Sequence, residues 1–209
     1  MTTTIDPVRL TEPQLPEASE VLSRAFFDDP MMMYLLPSDA QRGDVLPWFM
    51  GSAARYTHLF GEVYTTPANV EGNACWLPPG ETDLSEERMA QVGFMEAPER
   101  MGGESFGRFI ELMGRLGELH HAAVPPEHWY LLVLGVDPPR QGQGVGAALI
   151  QPILARADAD QVPCYLETMK TRNVPFYRKH GFEVVVEDDT PDGGLHYWTM
   201  RRDPLTSKR

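Results

Sequence analysis

An apolar run followed by a glycine-rich turn constrains the fold of this chain more than any other feature. Residues 129–136 are apolar and long enough for a buried strand. The segment 140–146 then places three glycines within seven residues, and the helix-compatible stretch 147–158 follows it. A strand, a glycine turn and a helix present free backbone N–H groups at the helix N-terminus, where negative charge is favoured. The stretch therefore predicts a binding site for a phosphate-bearing cofactor.

The same glycines also match the dinucleotide-binding fingerprint G-x-G-x-x-G/A at 142–147, with Glu167 about twenty positions further on. Three observations count against a nicotinamide enzyme. Residues 137–141 separate the glycines from the strand, whereas that fingerprint follows its strand directly. Too few strand–helix units follow for a doubly wound sheet, and that fold does not explain the motif at 173–182. A P-loop is excluded because no Gly-Lys-Ser/Thr follows the glycines.

The composition indicates a soluble globular chain of one domain, with 209 residues, 42% hydrophobic and 23% charged. A formal net charge of −12 argues against a nucleic-acid partner. Residues 1–7 lack the features of a signal peptide, and no stretch approaches the about 20 apolar residues of a membrane span. We therefore expect a cytoplasmic protein with no membrane partner, in which Cys75 and Cys164 are buried, reduced thiols.

Positive charge in this acidic chain is concentrated around the glycine turn and the segment after it. The basic residues in question are Arg140, Lys170, Arg172, Arg178 and Lys179, with Lys208 in the C-terminal tail. Such a patch suits a small polyanionic cofactor, and the acidic remainder favours a cationic second substrate. A solvated surface with no binding role is the open alternative.

The hydrophobic spacing of the other segments predicts helices and strands in a mixed sheet. Helices are expected at 15–27, at 46–60 and as a pair within 83–121, and the first should stop at Asp29 because proline follows it. Strands are expected at 8–10, 62–66, 73–77, 164–167, 183–186 and 195–200, with a turn near Glu71-Gly72 and an acidic loop at 187–194. One parallel crossover and a closing hairpin complete a single domain over 1–209, with a polar tail at 203–209.

Two motifs in order identify a family resemblance. The glycine turn fits the pattern Gln141-x-x-Gly144-x-Gly146, and Asn173-x-x-x-Tyr177-x-x-x-Gly181-Phe182 follows it. In this order they resemble the motifs of the GNAT N-acetyltransferase superfamily. The resemblance covers nearly the whole chain and implies its α/β, α+β-like fold, a mixed but mostly antiparallel sheet flanked by helices. Segments 25–30, 76–80 and 198–204 further resemble the bacterial subgroup related to puromycin N-acetyltransferase.

The resemblance implies acetyl-CoA as the donor and an amine as the acceptor, and we expect no metal. Glycine-turn N–H groups would hold the pyrophosphate, and the strand at 134–136 would pair with the pantetheine arm. Gln141 stands where arginine is commoner, with Arg140 just before it, so either side chain could reach the pyrophosphate. The residues that the resemblance assigns to the cofactor are Leu134, Gly135, Val136, Arg140, Gln141, Gly142, Gln143, Gly144, Val145, Gly146, Asn173 and Tyr177.

The catalytic groups follow in part from the same resemblance. Tyr177 corresponds to the general acid that protonates the leaving thiolate, on a short helix that Asn173 should cap and Gly181 should end. Glu167 is the first candidate for the general base. Asp29, His128 and Glu71 are further candidates, and a water relay without a single base is an equal alternative.

The sequence thus predicts an enzyme that acetylates the primary amine of a small molecule directly, as a monomer or homodimer. The helical segment 83–121 should cover the acceptor side. Two alternatives stay open: acetylation of a protein N-terminus or lysine, and a non-catalytic module that binds acyl-CoA. His120 and His121 beside Glu118 lack further ligands at metal-binding spacing, so they predict a solvated helix end.

Overall fold

A seven-stranded sheet forms the centre of residues 5–205, the part of the chain that the computed structural model describes. The strands are β1 Val8–Arg9, β2 Glu62–Thr65, β3 Gly72–Leu77, β4 Trp129–Val136, β5 Cys164–Thr168, β6 Glu183–Asp189 and β7 His196–Arg202. Their order is β1-β2-β3-β4-β5-β7-β6, and only the β4–β5 pair is parallel. The predicted mixed, mostly antiparallel sheet is therefore confirmed.

Helices cover both faces of this sheet. They are α1 Leu15–Phe26, α2 Pro30–Leu35, α3 Asp39–Phe60, α4 Glu86–Gln91, α5 Ala97–Met101, α6 Gly103–Ala123, α7 Val145–Asp160 and α8 Asn173–Lys179. Alternate residues of β3 divide the core: Cys75 packs with α1 and α3, whereas Ala74 and Trp76 pack with α7. Because both faces are buried, β3 carries no polar–apolar alternation. Cys75 and Cys164 are free and buried, as predicted.

Two predicted helix boundaries are confirmed by their capping groups. Helix α1 ends at Phe26, and the Asp29 carboxylate then caps α2 by accepting a hydrogen bond from the Met31 N–H at 3.0 Å. Helix α8 ends in a Schellman motif, in which Gly181 has φ +87°. Its N–H donates to the Arg178 carbonyl at 3.0 Å, and the Phe182 N–H donates to the Tyr177 carbonyl at 3.1 Å. Glycine adopts this left-handed conformation without the steric strain that a residue with a Cβ atom would have.

The predicted N-cap role of Asn173 is wrong. Asn173 is the first residue of α8, and Arg172 occupies the N-cap position without a side-chain hydrogen bond. The Asn173 amide instead donates to the Thr168 hydroxyl at 3.0 Å, which ties α8 to the end of β5. Helix α3 begins at Asp39 rather than at 46, because the Ser38 hydroxyl caps it and it continues through Pro47.

Three further expectations differ from the structure. Gly72 lies inside β3 opposite Val136, so the turn falls between β2 and β3 at 66–71. Residues 187–189 extend β6, since Glu187 pairs with Trp198. The first helix of the predicted pair in 83–121 is divided into α4, a 3-10 turn and α5. Gly93 precedes the 3-10 turn and Gly102 separates α5 from α6, both at positive φ.

The two ends of the chain lie partly outside residues 5–205. Of the predicted polar tail, 206–209 with Lys208 lie outside the described residues, and so do positions 1–4 of the N-terminal segment. Within 5–205, none of the helices combines the length and the apolar character needed to cross a membrane.

Candidate active site

The parallel strands β4 and β5 separate soon after they begin. Trp129 pairs with Cys164 and Tyr130 pairs with Tyr165, and no later pair joins the two strands. Beyond Tyr130, β4 continues along β3, and β5 continues along β7. The β4 edge at 131–136 therefore has no strand partner in the described chain on its β5 side. We call this opening the β4–β5 gap; its free backbone groups can pair with an extended ligand.

The glycine turn lies at the far end of β4. Gly142 and Gly144 have φ of +73° and +83°, and Gly144 is the N-cap residue of the 16-residue helix α7. Within residues 5–205, the N–H groups of Gly142, Gln143 and Gly144 donate to no acceptor. Free N–H groups at the N-terminus of a long helix form a site for phosphate.

The side chains of the turn are engaged with the protein itself. A guanidinium N–H of Arg140 lies 3.0 Å from a Glu71 carboxylate oxygen. The amide of Gln141 donates to the Val136 carbonyl at 3.0 Å, and that of Gln143 donates to the Pro139 carbonyl at 2.8 Å. These bonds stabilise the turn, and the N–H groups of its backbone remain available to a ligand.

A cavity of about 790 Å³ joins the glycine turn to the β4–β5 gap. Gln143 is the one predicted cofactor residue that does not line it. The others that do are Leu134, Gly135, Val136, Arg140, Gln141, Gly142, Gly144, Val145, Gly146, Asn173 and Tyr177. Glu167 and Asp29 also lie in its wall, so most of the predicted site residues share one cavity.

Glu167 has one engaged and one free carboxylate oxygen. Its Oε2 accepts a hydrogen bond from the Tyr130 hydroxyl at 2.9 Å, whereas Oε1 is buried without a partner in the described chain. Burial raises the pKa of Glu167 to about 7, although the Tyr130 hydrogen bond opposes the shift. A carboxyl with a pKa near neutrality changes readily between its charged and neutral forms, as a general base requires.

Tyr177 lies on α8 and lines the same cavity. Its hydroxyl has no hydrogen-bond partner among residues 5–205, although the side chain is buried. Burial, together with the nearby charge of Asp29, raises the pKa of Tyr177 above its ordinary value. The hydroxyl is therefore protonated at neutral pH and free to donate toward a ligand.

The other candidate bases are engaged or lie elsewhere. In Asp29, Oδ1 caps α2 and Oδ2 lies 3.2 Å from the Lys170 ammonium. Glu71 holds Arg140 and lies outside the cavity wall. The predicted solvated helix end is wrong for His120, whose side chain is buried with its Nε2 2.6 Å from that of His128. Burial lowers the pKa of both imidazoles, that of His120 to about 3. Glu167 is therefore the best-placed base of the four.

An apolar lobe adjoins the Tyr130 end of the gap and was not recognised as a unit from the sequence. Tyr130, Leu132, Met89 and Phe94 contact the same small hydrophobic cluster there. The side chains that define the apolar lobe are Met31, Phe49, Met50, Tyr56, Met89, Val92, Phe94, Phe109, Met113, Leu116 and Leu132. Six of them come from segment 83–121, and the rest come from α2, α3 and β4.

Tyr130 and the Asp29–Lys170 pair were also missed. Tyr130 lies within an apolar run, which predicts a buried strand and indicates no role for its hydroxyl. The parallel register sets it opposite Tyr165, two positions before Glu167. A sequence-level signal existed, namely a tyrosine early in one strand and an acid late in its parallel neighbour. Among the described residues, no group of three His, Cys, Asp or Glu side chains is arranged to hold a metal ion.

Comparison with known proteins places this geometry in context. Residues 107–184, which include the gap, the glycine turn and α8, match the family model of an acetyltransferase (GNAT) domain. An uncharacterized N-acetyltransferase of Schizosaccharomyces pombe is 29% identical over 171 residues, covering 79% of this chain and 69% of that protein.

Solved structures share the fold over nearly the whole chain. Arylalkylamine N-acetyltransferase 2 of Aedes aegypti has a TM-score of 0.72 at 15% identity, covering 97% of this chain and 100% of that one. A Corynebacterium glutamicum protein, described as histone acetyltransferase HPA2 and related acetyltransferase, has a TM-score of 0.67 at 20% identity, with coverage of 99% and 100%. At such identities the likeness establishes the fold.

Proposed function

Since the chain is an acetyltransferase of the GNAT superfamily, we propose that it transfers the acetyl group of acetyl-CoA directly to the primary amine of a small molecule. The β4–β5 gap is the observation that carries this proposal. It opens into one cavity that holds free backbone N–H groups, the carboxyl of Glu167 and the hydroxyl of Tyr177. The Aedes aegypti neighbour is an acetyltransferase of arylalkylamines, which supports a small amine as the acceptor.

The donor half of the site fits coenzyme A through its backbone. The pyrophosphate would lie against the N–H groups of 142–146, at the N-terminus of α7. The pantetheine arm would pair with 134–136 along the free edge of β4. Because the side chains of Arg140 and Gln141 bind Glu71 and the Val136 carbonyl, main-chain groups would supply the first contacts with phosphate.

The acetyl donor supplies a thioester carbon, and the protein supplies two proton-transfer groups. Glu167 takes a proton from the substrate ammonium, so that the neutral amine nitrogen can form the new C–N bond. As the C–S bond breaks, Tyr177 donates its proton to the leaving thiolate. The amine nitrogen loses a second proton as the tetrahedral intermediate collapses to the amide, and this proton restores Tyr177 directly or through water. Glu167 then releases its proton to solvent, so that ammonium and thioester give amide, thiol and one proton.

The wider organisation follows from the same proposal. We propose one acetyltransferase domain over 1–209, with segment 83–121 covering the acceptor side and 203–209 as a polar tail. Trp76 and Pro78-Pro79-Gly80 support kinship with the subgroup related to puromycin N-acetyltransferase. A cytoplasmic location and a monomeric or homodimeric state stay predictions.

A thiol-release assay tests the proposal. Purified protein, acetyl-CoA and a panel of small amines should release coenzyme A together with the acetylated amine identified by mass spectrometry. Faster acetylation of peptide lysines or N-termini would favour the protein-acetylating alternative. Acetyl-CoA binding without turnover of any acceptor would instead favour a non-catalytic module.

Gly144→Ala should weaken acetyl-CoA binding, whereas the matched Gly146→Ala should not. An alanine at φ +83° carries a strain of about 1–2 kcal/mol, which the turn relieves by losing the conformation that gathers its N–H groups. A Cβ at Gly146 would meet its nearest neighbour, the Val136 Cγ2, at an ordinary 3.5 Å. Calorimetric titration should show roughly a tenfold higher Kd for the first variant. Equal Kd values would contradict the phosphate role of the turn.

A further inference from the structure

The polar groups in the wall of the apolar lobe are already used within the protein. The Tyr56 hydroxyl donates to the Asp83 carbonyl at 3.3 Å, and the Ser52 hydroxyl donates to the Val92 carbonyl at 3.4 Å. The groups that face the cavity are hydrocarbon chains, aromatic rings and thioethers. A polar ligand body would therefore lose its hydration there without gaining hydrogen bonds.

The apolar side chains of the lobe form an ordered aromatic cluster beside adaptable methionines. Phe49, Phe94 and Phe109 contact one another with ring centroids 5.5 to 5.7 Å apart. Met31 and Met113 are half-buried beside this cluster. Aromatic edges and flexible thioethers suit a hydrophobic group, and methionines adjust to its shape.

Of the two carboxylates in the cavity wall, one is left to bind the positive charge of a ligand. Glu167 offers Oε1 without a partner, at the Tyr130 side of the gap. The other carboxylate of the cavity, Asp29, is matched by the Lys170 ammonium at 3.2 Å. An acceptor with a second positive charge would have to desolvate it against the apolar wall without a counter-ion.

We infer that the acceptor is a hydrophobic primary amine with a single positive charge, whose ammonium binds Glu167 and whose apolar body fills the lobe. The inference rests on the proposed function and specifies its substrate class. It separates this chain from acetyltransferases of polyamines and of charged peptides. The carbon chain or ring of the acceptor supplies the binding energy, and Glu167 orients the amine.

A series of unbranched alkylamines, from propylamine to octylamine, tests the inference with saturating acetyl-CoA. Each added methylene should raise kcat/KM about fourfold until the lobe is filled, the value expected for burying one methylene. For each length, the matching terminal diamine is the control, since it differs only by its second ammonium. The diamine should react roughly 100-fold more slowly or worse, because its distal charge is buried without a partner.

Two variants of α2 connect the effect to the lobe. Met31→Ala removes a side chain of the lobe wall, and it should flatten the dependence on chain length for the longer amines. Met33→Ala is the matched control, since Met33 is 48% exposed and lies outside the cavity wall. It should leave the dependence unchanged.

The outcomes separate the two proposals. A rate that is independent of chain length, or a diamine that matches its monoamine, overturns the hydrophobic acceptor and leaves the acetyltransferase standing. If acetyl-CoA binds but none of the amines is acetylated, both proposals fail together. A chain-length dependence that is lost in Met31→Ala and kept in Met33→Ala supports the inference.

Discussion

Glu167→Gln is expected to lower kcat/KM by roughly 10²- to 10⁴-fold at pH 8, the usual contribution of a general base. Glutamine keeps the size of the side chain and can still accept a hydrogen bond from Tyr130, but it cannot take a proton. The measurement is thiol release with the best alkylamine. Asp29→Asn is the matched control, because asparagine still caps α2 and only the Lys170 ion pair is lost. Its effect on kcat/KM should be small.

The pH dependence of kcat/KM is a second test of Glu167 as the general base. Because the pKa of Glu167 is raised to about 7, activity should rise as the pH increases through that value. Tyr130→Phe removes a hydrogen bond that lowers this pKa, so the rising limb should move to higher pH. Glu167→Gln should lose the limb, whereas Asp29→Asn should keep it. A limb that survives in Glu167→Gln would assign the base to another group or to water.

Stability measurements distinguish a catalytic role of Glu167 from a structural one. A carboxyl whose pKa is raised by burial favours the folded state at low pH, and that contribution is lost as the pH rises through the folded-state pKa. Above about pH 7 the parent protein therefore keeps an unfavourable buried charge, which the glutamine variant lacks. Glu167→Gln should be at least as stable as the parent there, so its lost activity cannot come from unfolding.

The geometry of the strand, glycine turn and helix could be predicted because its signals are contiguous in sequence. A strand, a glycine turn and a helix fix the position of the free N–H groups, and the left-handed Gly142 and Gly144 could be expected from their type alone. The cap at Gly181 follows in the same way. The prediction for Asn173 is wrong because its side-chain amide binds the Thr168 hydroxyl, and this hydrogen bond outweighs the local N-cap preference of asparagine.

The apolar lobe could not be predicted because it is assembled from separate elements. Phe49, Phe94 and Phe109 are far apart in the chain, and periodicity assigns such residues to the core. Whether they meet one another or a cavity depends on how α3 and α6 pack, which spacing does not encode. Glu167 was the first candidate base from the sequence, and the structure adds that the alternative Asp29 is held by Lys170.

Tyr177→Phe should lower turnover by roughly 10²-fold while leaving stability and acetyl-CoA binding nearly unchanged. The Tyr177 hydroxyl has no protein partner in the described chain, so its removal costs no hydrogen bond of the fold. Its raised pKa keeps the hydroxyl protonated over the working range, so a proton is present when the thiolate leaves. The measurements are steady-state thiol release, thermal unfolding and calorimetric titration with acetyl-CoA.

Tyr64→Phe provides the matched control, since it removes the hydroxyl of another buried tyrosine, which lies outside the cavity. The Tyr64 hydroxyl donates to Glu62 at 3.1 Å, so its loss should cost about 1 kcal/mol of stability and leave turnover unchanged. The two variants thus predict opposite patterns, one catalytic and one structural. If Tyr177→Phe kept full turnover, the thiolate would take its proton from solvent, and the part of Tyr177 would be to pack against Phe176 and Phe182 in the wall of the gap.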